Sequence, residues 1–416
     1  MRFPYAILRT AALAAIALSP TRSLPAEDAP SRQILALCGD SITAGRLYSA
    51  YIASYILMCA PQKDMDAILF GWGGETATGF EKRQESSCLV FQPTAATICY
   101  GMNDGGYTPA DPKKLDAYSK AMITIVERFK KSGTRQIVVG TPGVVDPDFS
   151  KKLDGNMYNK TLAELSERAK RVADEQKVGF ANIHGAMKEA MARSKAKYGK
   201  EYAFGGAFDG VHPSQAGHLV MAYAFLKALG FDGEIGTITI DLKSKAASAS
   251  EGHRVISFHD GVAELESSRY PFCFFGKVEE PSTASMVEFI PFNEDLNRFR
   301  LVVTNAGAAS LKVSWGDHSR VYSAKELEKG INLAADFLEN PFSKSFQKVE
   351  SVIKEQQGFE LKAKELFGAL DEFQKIAPND RLQDLQQAIV TKDQELRAAS
   401  RSAVVPVKHQ IRIEPE

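Results

Sequence analysis

Short apolar runs alternate with longer amphipathic segments between Gln33 and about Gly230. The runs have the length and composition of strands buried on both faces, and the segments between them repeat apolar residues at helical spacing. This alternation predicts an α/β fold in which a doubly wound parallel sheet carries helices on both faces. The predicted strands are Ile34–Cys38, Met65–Phe70, Thr94–Tyr100, Gln136–Gly140 and Val178–Ile183. The predicted helices are Ala44–Cys59, Thr76–Cys88, Lys113–Lys131, Asn156–Gln176 and Ser214–Leu229.

The pattern changes after Gly230, where shorter segments alternate apolar and polar residues. Such segments predict a small β-sandwich over residues 233–323. The Ala- and Ser-rich stretch Ser244–Ser250 is predicted to be a surface loop, and His253, His259 and His318 are expected in exposed turns rather than at a metal site. The predicted strands are Thr237–Leu242, Arg254–Phe258, Val262–Glu266, Ser285–Ile290, Phe299–Thr304, Leu311–Trp315 and Arg320–Tyr322.

Residues 324–416 are predicted to form a helical hairpin that ends in a strand. Ser323 and Glu326 have the spacing of a capping box, which starts a helix predicted to run to about Glu339. Because the last segment alternates like a strand, we expect the chain to return to the β-rich unit after the hairpin. The two hairpin helices and the final strand are predicted at Lys344–Lys375, Arg381–Arg401 and Val405–Ile413.

The N-terminal residues have the pattern of a secretory signal peptide. Arg2 and Arg9 precede or border the apolar stretch Ala11–Leu18, and small residues lead to Ala26. Residues 1–26 are therefore predicted to be a signal peptide, and residues 31–232 to be the first folded domain. The mature protein is predicted to be periplasmic or secreted. No stable membrane insertion is expected after cleavage, because no other stretch is long and apolar enough to span a bilayer.

Composition excludes several classes of partner. Apolar residues make up 44% of the chain and charged residues 25%, as in ordinary globular proteins. Lys+Arg and Asp+Glu both total 51, so no net field attracts nucleic acid, and no nucleic-acid partner is predicted. Five cysteines form no disulfide framework and no zinc-like spacing, so neither a metal nor another cofactor is predicted. Pairing of Cys59 with Cys88 and the oligomeric state stay open.

Turns that follow the predicted strands carry the residue types needed for acyl transfer. Parallel strands end at one edge of a sheet, so the topology brings these turns together. The first turn, Gly39-Asp40-Ser41, places a hydroxyl at a helix N-terminus. His212 is the candidate general base, and Asp209 lies three residues before it, where it can orient the imidazole. Candidate donors to an oxyanion are the backbone N–H groups of Ser41 and Gly74 and the side-chain amide of Asn103.

Each turn alone has a plainer interpretation. Ser41 has the residue type of a helix N-cap, and His212-Pro213 suits the start of a helix. Gly71–Gly74 and Asn103–Gly105 are ordinary loop and turn sequences. The combination of all of them, in this order, favours a catalytic site.

The motifs Gly-Asp-Ser, Gly-Gly-Glu-Thr, Gly-Met-Asn-Asp and Asp-Gly-Val-His-Pro resemble, in this order, the blocks of the SGNH hydrolases, also called the GDSL esterase/lipase family. The resemblance covers about half of the chain. It implies a three-layer α/β/α sandwich with a flavodoxin-like, five-stranded parallel sheet, metal-free serine hydrolysis, and ester or thioester substrates. It also implies that Ser41 is the nucleophile, that Gly74 and Asn103 form the oxyanion hole, and that Asp209 and His212 complete a triad.

The second block departs from the family pattern at two positions. Leu69 stands where members often carry Asn, five residues before the oxyanion glycine, and Trp72 stands where smaller residues are common. Trp72 and Tyr107 are candidates for an aromatic platform under a sugar ring, with packing of the loops as the alternative.

The sequence therefore predicts an exported serine esterase that hydrolyses acyl esters through an acyl-Ser41 intermediate. Secretion, and the lack of a large apolar tract near the site, favour removal of acetyl groups from a carbohydrate. The substrate is expected to be a small-molecule or polysaccharide ester. The alternatives are a lipase or thioesterase, a carbohydrate- or protein-binding module with a vestigial hydrolase site, and a scaffold protein that works through the hairpin. The C-terminal half either walls the cleft or binds a partner.

Overall fold

Five parallel strands form the central sheet in a computed structural model of the protein, which describes residues 32–376 and 380–416. The strand order is β2-β1-β3-β4-β5, and all pairings in the sheet are parallel. Each predicted strand is present to within two residues, so the predicted parallel sheet is confirmed. The strands are β1 (Gln33–Gly39), β2 (Met65–Gly71), β3 (Ala95–Cys99), β4 (Gln136–Gly140) and β5 (Gly179–Ala181).

Helices flank this sheet in two groups, α2, α7 and α6 in one and α3, α4 and α5 in the other, as the α/β/α sandwich requires. The helices are α1 (Ser41–Ala44), α2 (Tyr48–Ser54), α3 (Ala77–Arg83), α4 (Pro112–Lys131), α5 (Gly155–Gln176), α6 (Ile183–Tyr198) and α7 (Gln215–Ala228). Turns of π-helix, Tyr55–Cys59 and Gln84–Cys88, prolong α2 and α3.

Two details of the helices differ from the prediction. The first predicted helix is interrupted between α1 and α2, where Arg46 has a φ of 57°. Helix α6 is not predicted at all, because its buried side chains form a stripe too narrow to stand out among its lysines and alanines.

Glycines end the first two strands because α1 packs directly on the strand ends. A Cβ atom on Gly39 would lie 2.0 Å from Thr43 Oγ1, and one on Gly71 would lie 2.4 Å from the backbone N of Ala44. The two strand ends and the short helix therefore form one tightly packed unit.

The C-terminal half contains two further sheets, one of four strands in the order β13-β10-β6-β7 and one of five in the order β12-β11-β14-β9-β8. Residues Gln33–Glu416 form one compact unit. The strands are β6 (Glu234–Asp241), β7 (Ala246–Ala249), β8 (His253–His259), β9 (Val262–Ser267), β10 (Arg298–Thr304), β11 (Ser310–Trp315), β12 (His318–Ser323), β13 (Ile331–Asn332) and β14 (Val407–Pro415). The helices are α8 (Phe292–Leu296), α9 (Ala324–Lys329), α10 (Leu333–Asp336), α11 (Ser343–Ile376) and α12 (Asp380–Ser402).

Three predictions about the secondary structure of this half are wrong. The stretch Ser244–Ser250 contains strand β7, whose small side chains gave no pattern but whose backbone pairs with β6. Residues 284–288 form a 3₁₀-helix rather than a strand, with Met286, Phe289 and Ile290 buried. The helix that starts at Ser323 has both capping-box hydrogen bonds, but it ends at Lys329 because Gly330, with a φ of 95°, follows.

All five cysteines are buried free thiols, Cys59 and Cys88 included. The predicted signal peptide, residues 1–26, lies outside the described residues. Among the helices that the structure describes, none combines the length and the apolar character needed to cross a bilayer.

His253 is buried in a hydrogen-bonded chain that joins the two C-terminal sheets, so its prediction as an exposed turn residue is wrong. Trp315 Nε1 donates to His409 Nδ1 at 3.2 Å, and His409 Nε2 donates to Ser267 Oγ at 2.9 Å. The Ser267 hydroxyl donates to His253 Nδ1 at 2.8 Å, and His253 Nε2 donates to the carbonyl of Ile235 at 3.0 Å. All four imidazole nitrogens can make these hydrogen bonds only when His253 and His409 are both neutral.

A fall in pH is expected to destabilise the fold, because it favours protonation of His409 within this series of hydrogen bonds. Burial, and then the charge of His253, lowers the pKa of His409 to about 3, whereas an unfolded histidine has a pKa of about 6.5. The unfolded chain therefore binds more protons between these two values, and the stabilisation is complete above the unfolded pKa and decreases as the pH falls. From pH 7 to pH 5, His409 alone is expected to reduce the free energy of unfolding by about 2 kcal/mol.

Urea unfolding at the two pH values measures this change. His409→Gln is expected to remove the His409 share of the decrease, whereas the matched control His259→Gln, which removes an exposed imidazole on β8, is expected to keep it. An equal decrease in wild type and His409→Gln would contradict the assignment.

Candidate active site

Ser41 begins helix α1, directly after strand β1. Asp40 caps this helix, because its carboxylate accepts the backbone N–H of Ile42 at 2.9 Å. Burial is the largest cause that raises the pKa of Asp40, to about 7. The Ser41 hydroxyl lies 2.8 Å from Nε2 of His212, close enough to donate a hydrogen bond.

Asp209 and His212 lie on one turn ahead of α7 and contact each other at two places. Asp209 Oδ2 lies 2.7 Å from His212 Nδ1, and Oδ1 accepts the backbone N–H groups of Val211 and His212 at 2.9 and 3.0 Å. Burial raises the pKa of Asp209, but these hydrogen bonds outweigh it and hold that pKa below its ordinary value. The ionised carboxylate therefore keeps the proton on Nδ1 and leaves the Nε2 lone pair for the Ser41 hydroxyl.

A buried ion pair, which sequence reasoning missed, holds this turn. Asp146 is fully buried, and its Oδ1 lies 2.6 Å from Lys195 Nζ. Its Oδ2 accepts the N–H of Gly205 at 3.2 Å, and its own N–H donates to the carbonyl of Gly210 at 2.7 Å. Asp146 thus fixes both ends of the segment that leads into His212. The pair spans 49 positions of the chain, and no local motif indicates it.

The second turn presents an exposed glycine backbone at Gly74. Gly74 is exposed, has a φ of 72°, and leaves nothing within 4 Å of where a Cβ atom would lie. The turn is joined to the serine turn, because the N–H of Trp72 donates to the carbonyl of Gly39 at 3.0 Å. The space beside the Gly74 Cα is therefore free, which lets another molecule come close to this backbone.

Asn103 is held with its amide group directed to the second turn. Its Nδ2 donates to the carbonyl of Glu75 at 3.0 Å, and its Oδ1 accepts the Tyr107 hydroxyl at 2.9 Å. These two contacts fix which end of the amide carries the donors, and they leave one Nδ2 hydrogen for another acceptor.

The carboxylates of Glu75 and Asp104 tie the second and third turns together. Glu75 makes two contacts of 2.6 Å with Arg83 and accepts the Tyr100 hydroxyl at 2.7 Å. Asp104 accepts the N–H groups of Ala77 and Gly101, each at 2.9 Å. Burial raises the pKa of Asp104 to about 6, with the two hydrogen bonds opposing the shift. Glu75 directly follows Gly74, and Asp104 directly follows Asn103. This adjacency was the signal in the sequence that could have identified the two carboxylates.

The aromatic residues near these turns differ in their exposure. Trp72 is half-buried, and the Arg83 guanidinium carbon lies 5.2 Å from its ring centroid. Tyr107 is 39% exposed, and Phe208, which the sequence analysis did not select, is 94% exposed although it directly precedes Asp209. Tyr107 and Phe208 therefore offer their rings to solvent, whereas Trp72 packs with Arg83.

Comparison with known proteins gives three findings. Residues 37–220 match the GDSL-like Lipase/Acylhydrolase family. An acetylxylan esterase from Geobacillus stearothermophilus is 25% identical over 194 residues, which are 45% of this chain and 83% of the esterase. The solved structure of a gut microbial diltiazem-metabolizing enzyme is similar over 93% of this chain and 99% of its own, with a TM-score of 0.72 and 22% identity. The last likeness shows the fold, and it includes the C-terminal half.

Asp209→Asn is expected to slow the reaction of Ser41 with a fluorophosphonate by roughly 10³- to 10⁴-fold, because the amide no longer keeps the proton on Nδ1 of His212. The measurement is the second-order rate of labelling, followed by mass spectrometry of the Ser41 peptide.

Asp174→Asn is the matched control, since this exposed carboxylate contacts Lys170 at 2.7 Å and has no contact with Ser41, Asp209 or His212. Labelling of Asp209→Asn at the rate of the control would show that Asp209 does not support the serine.

Proposed function

Because the chain is a serine ester hydrolase whose residues 37–220 form a GDSL-like lipase/acylhydrolase domain, we propose that it removes acetyl groups from a carbohydrate outside the cytoplasm. The observation that carries the proposed catalytic roles is the unbroken hydrogen-bonded series from Ser41 through His212 to Asp209. A nucleophile, its base and the group that orients the base are present, and an exposed glycine backbone lies on the adjoining turn.

The first half-reaction transfers the acyl group to the enzyme. Ser41 Oγ attacks the ester carbonyl carbon while His212 Nε2 takes the hydroxyl proton, and Asp209 stabilises the imidazolium. The carbonyl oxygen becomes an oxyanion, which accepts hydrogen bonds from the backbone N–H groups of Ser41 and Gly74 and from Nδ2 of Asn103. The bond to the alcohol oxygen then breaks, and His212 gives its proton to the leaving alcohol, which leaves acyl-Ser41.

Water completes the cycle by the same groups. His212 Nε2 takes a proton from water as the water oxygen attacks the acyl carbonyl, and the oxyanion forms again on the same donors. When the bond to Ser41 Oγ breaks, His212 returns the proton to that oxygen. A carboxylic acid leaves, and the site regains its initial protonation state.

Three observations support a carbohydrate as the alcohol. The acetylxylan esterase is similar to the catalytic half, and the predicted signal peptide would place the enzyme where polysaccharides occur. Tyr107 and Phe208 expose separate aromatic rings, which suit the apolar faces of sugar rings. A long acyl chain would instead need a contiguous apolar lining, which favours the carbohydrate over the lipase alternative.

Ser41→Ala is expected to abolish hydrolysis of 4-nitrophenyl acetate and of acetylated xylooligosaccharides, because it removes the oxygen that attacks the ester carbonyl. Released 4-nitrophenol and acetate are the measured products, and circular dichroism checks that the fold persists. Turnover by Ser41→Ala at the wild-type rate would refute the acyl-Ser41 mechanism.

Phe208→Ala is expected to raise the KM for acetylated xylooligosaccharides by about two- to tenfold, since an aromatic contact contributes about 0.5–1.5 kcal/mol. The KM for 4-nitrophenyl acetate should change less, because this substrate has no sugar ring. Phe373→Ala removes another exposed ring, 61% exposed on α11, and serves as the control. An unchanged KM for the oligosaccharides would exclude Phe208 from their binding.

A further inference from the structure

Helix α11 lies along β2, the edge strand of the central sheet, and supplies polar side chains to its free side. Gln356 Nε2 donates to the carbonyl of Ala67 at 3.1 Å, and Glu360 Oε2 accepts the N–H of Leu69 at 2.7 Å. Lys364 Nζ donates to the carbonyl of Gly71 at 3.2 Å. Four residues of helix rise about 6 Å and two residues of strand about 6.6 Å, so each fourth helix residue meets each second strand residue.

The Lys364 contact differs from the other two because Gly71 lies at the carboxyl end of β2, next to the turns that carry Ser41 and Gly74. Gly71 ends β2, and the peptide that joins it to Trp72 is bound on both sides. Its carbonyl accepts from Lys364, while its N–H donates to the carbonyl of Gly39 at 3.0 Å. Gly39 directly precedes Asp40 and Ser41, and Trp72 starts the turn that carries Gly74. One peptide group therefore connects both turns to the C-terminal half.

Lys364 is buried where an apolar residue would be the less costly choice. Its relative exposure is 2%, and its ammonium lies 5.6 Å from the ring centroid of Phe70. Arg83 holds the preceding carbonyl, that of Phe70, at 2.9 Å, so two nitrogen donors fix consecutive peptide groups. Burial, and then the charge of Arg83, lowers the pKa of Lys364 to about 7, and both of its protonation states carry an N–H for the Gly71 carbonyl.

We propose that Lys364 is a positioning residue for the oxyanion turn, so that the C-terminal half is part of the catalytic apparatus. This inference rests on the proposed function in one respect, the role of Gly74 as an oxyanion donor. Without the Lys364 contact, the Gly71–Trp72 peptide can rotate, and the Gly74 N–H loses its fixed place relative to Ser41. Small misplacements of such groups reduce the rate of the chemical step more than they reduce binding.

Lys364→Met tests the proposal, because methionine fills similar space and has no donor. The kcat for 4-nitrophenyl acetate is expected to fall roughly 10- to 100-fold while KM stays within about threefold. Lys364→Gln, which keeps an N–H donor on a shorter side chain, is expected to recover part of kcat.

Arg397→Met is the matched control. Arg397 also comes from the hairpin and is buried, and its Nη1 lies 3.0 Å from the Asp66 carboxylate. Asp66 lies five residues before Gly71, about 16 Å away along the strand. This control is expected to lower the unfolding temperature and to keep the wild-type kcat at temperatures where the protein is folded. Equal kcat in Lys364→Met and Arg397→Met, whether normal or reduced, would overturn the positioning role.

Hydrogen exchange at the Trp72 amide separates failure of this inference from failure of the proposed function. Lys364→Met is expected to speed exchange of that amide, which donates to Gly39, and Arg397→Met is expected not to. If the wild-type protein neither hydrolyses esters nor reacts with a fluorophosphonate, the proposed function fails. The exchange rates alone then decide whether Lys364 holds the Gly71–Trp72 peptide in place. Unchanged exchange in Lys364→Met would then reject the role of Lys364.

Discussion

The free edge of strand β2 is the constraint on which the arrangement of this protein depends. An edge strand carries N–H and carbonyl groups that need partners, and all seven residues of β2 are buried from water. Helix α11 meets that need with Gln356, Glu360 and Lys364, and α12 adds Arg397 and Arg401 on Asp66. The hairpin and the central sheet are therefore joined by buried polar contacts as well as by apolar packing.

This constraint also explains the residue pattern of α11. A helix that covers a sheet face needs an apolar stripe, whereas a helix that covers a sheet edge needs donors and acceptors along part of the same stripe. Phe346, Val349 and Ile353 supply the apolar part near the start of α11, and the polar part follows. Glu360 is only 3% exposed. Desolvation, and then the nearby charge of Asp393, raises the pKa of Glu360 well above its ordinary value.

Local patterns predicted the parts of the fold that depend on short-range sequence. The buried strands of the central sheet are continuous apolar runs, and the long helices α4 and α5 repeat apolar residues over five or more turns, so both were readable. Strand β7 could not be predicted in this way, because Ala and Ser have little strand preference. Its pairing with β6 determines its conformation. The 3₁₀-helix Ala284–Glu288 was missed because two pairs of adjacent apolar residues, Met286-Val287 and Phe289-Ile290, are typical of a buried strand.

The same division applies to the candidate site. Ser41, Gly74 and Asn103 belong to short motifs at strand ends, and Asp209 and His212 belong to one short motif before α7. These local motifs are why the five residues could be selected without a structure. The groups that hold them could not, because their partners are distant in sequence. Asp146 pairs with Lys195 across 49 positions, and Gly71 meets Lys364 across 293. Phe208 was overlooked because an isolated phenylalanine is usually buried. It is exposed in the segment between Gly205 and Gly210, both of which Asp146 binds.

Strand β14 lies between β9 and β11 in its sheet, although it follows both by more than ninety residues of chain. The sheet consequently cannot close until the segment up to Pro415 has left the ribosome, and long-range pairing of this kind slows folding. The edge of β2 likewise lacks its hydrogen-bond partners until α11 has been synthesised. During synthesis the N-terminal half therefore exists for a time with an unpaired strand edge, a state suited to recognition by chaperones.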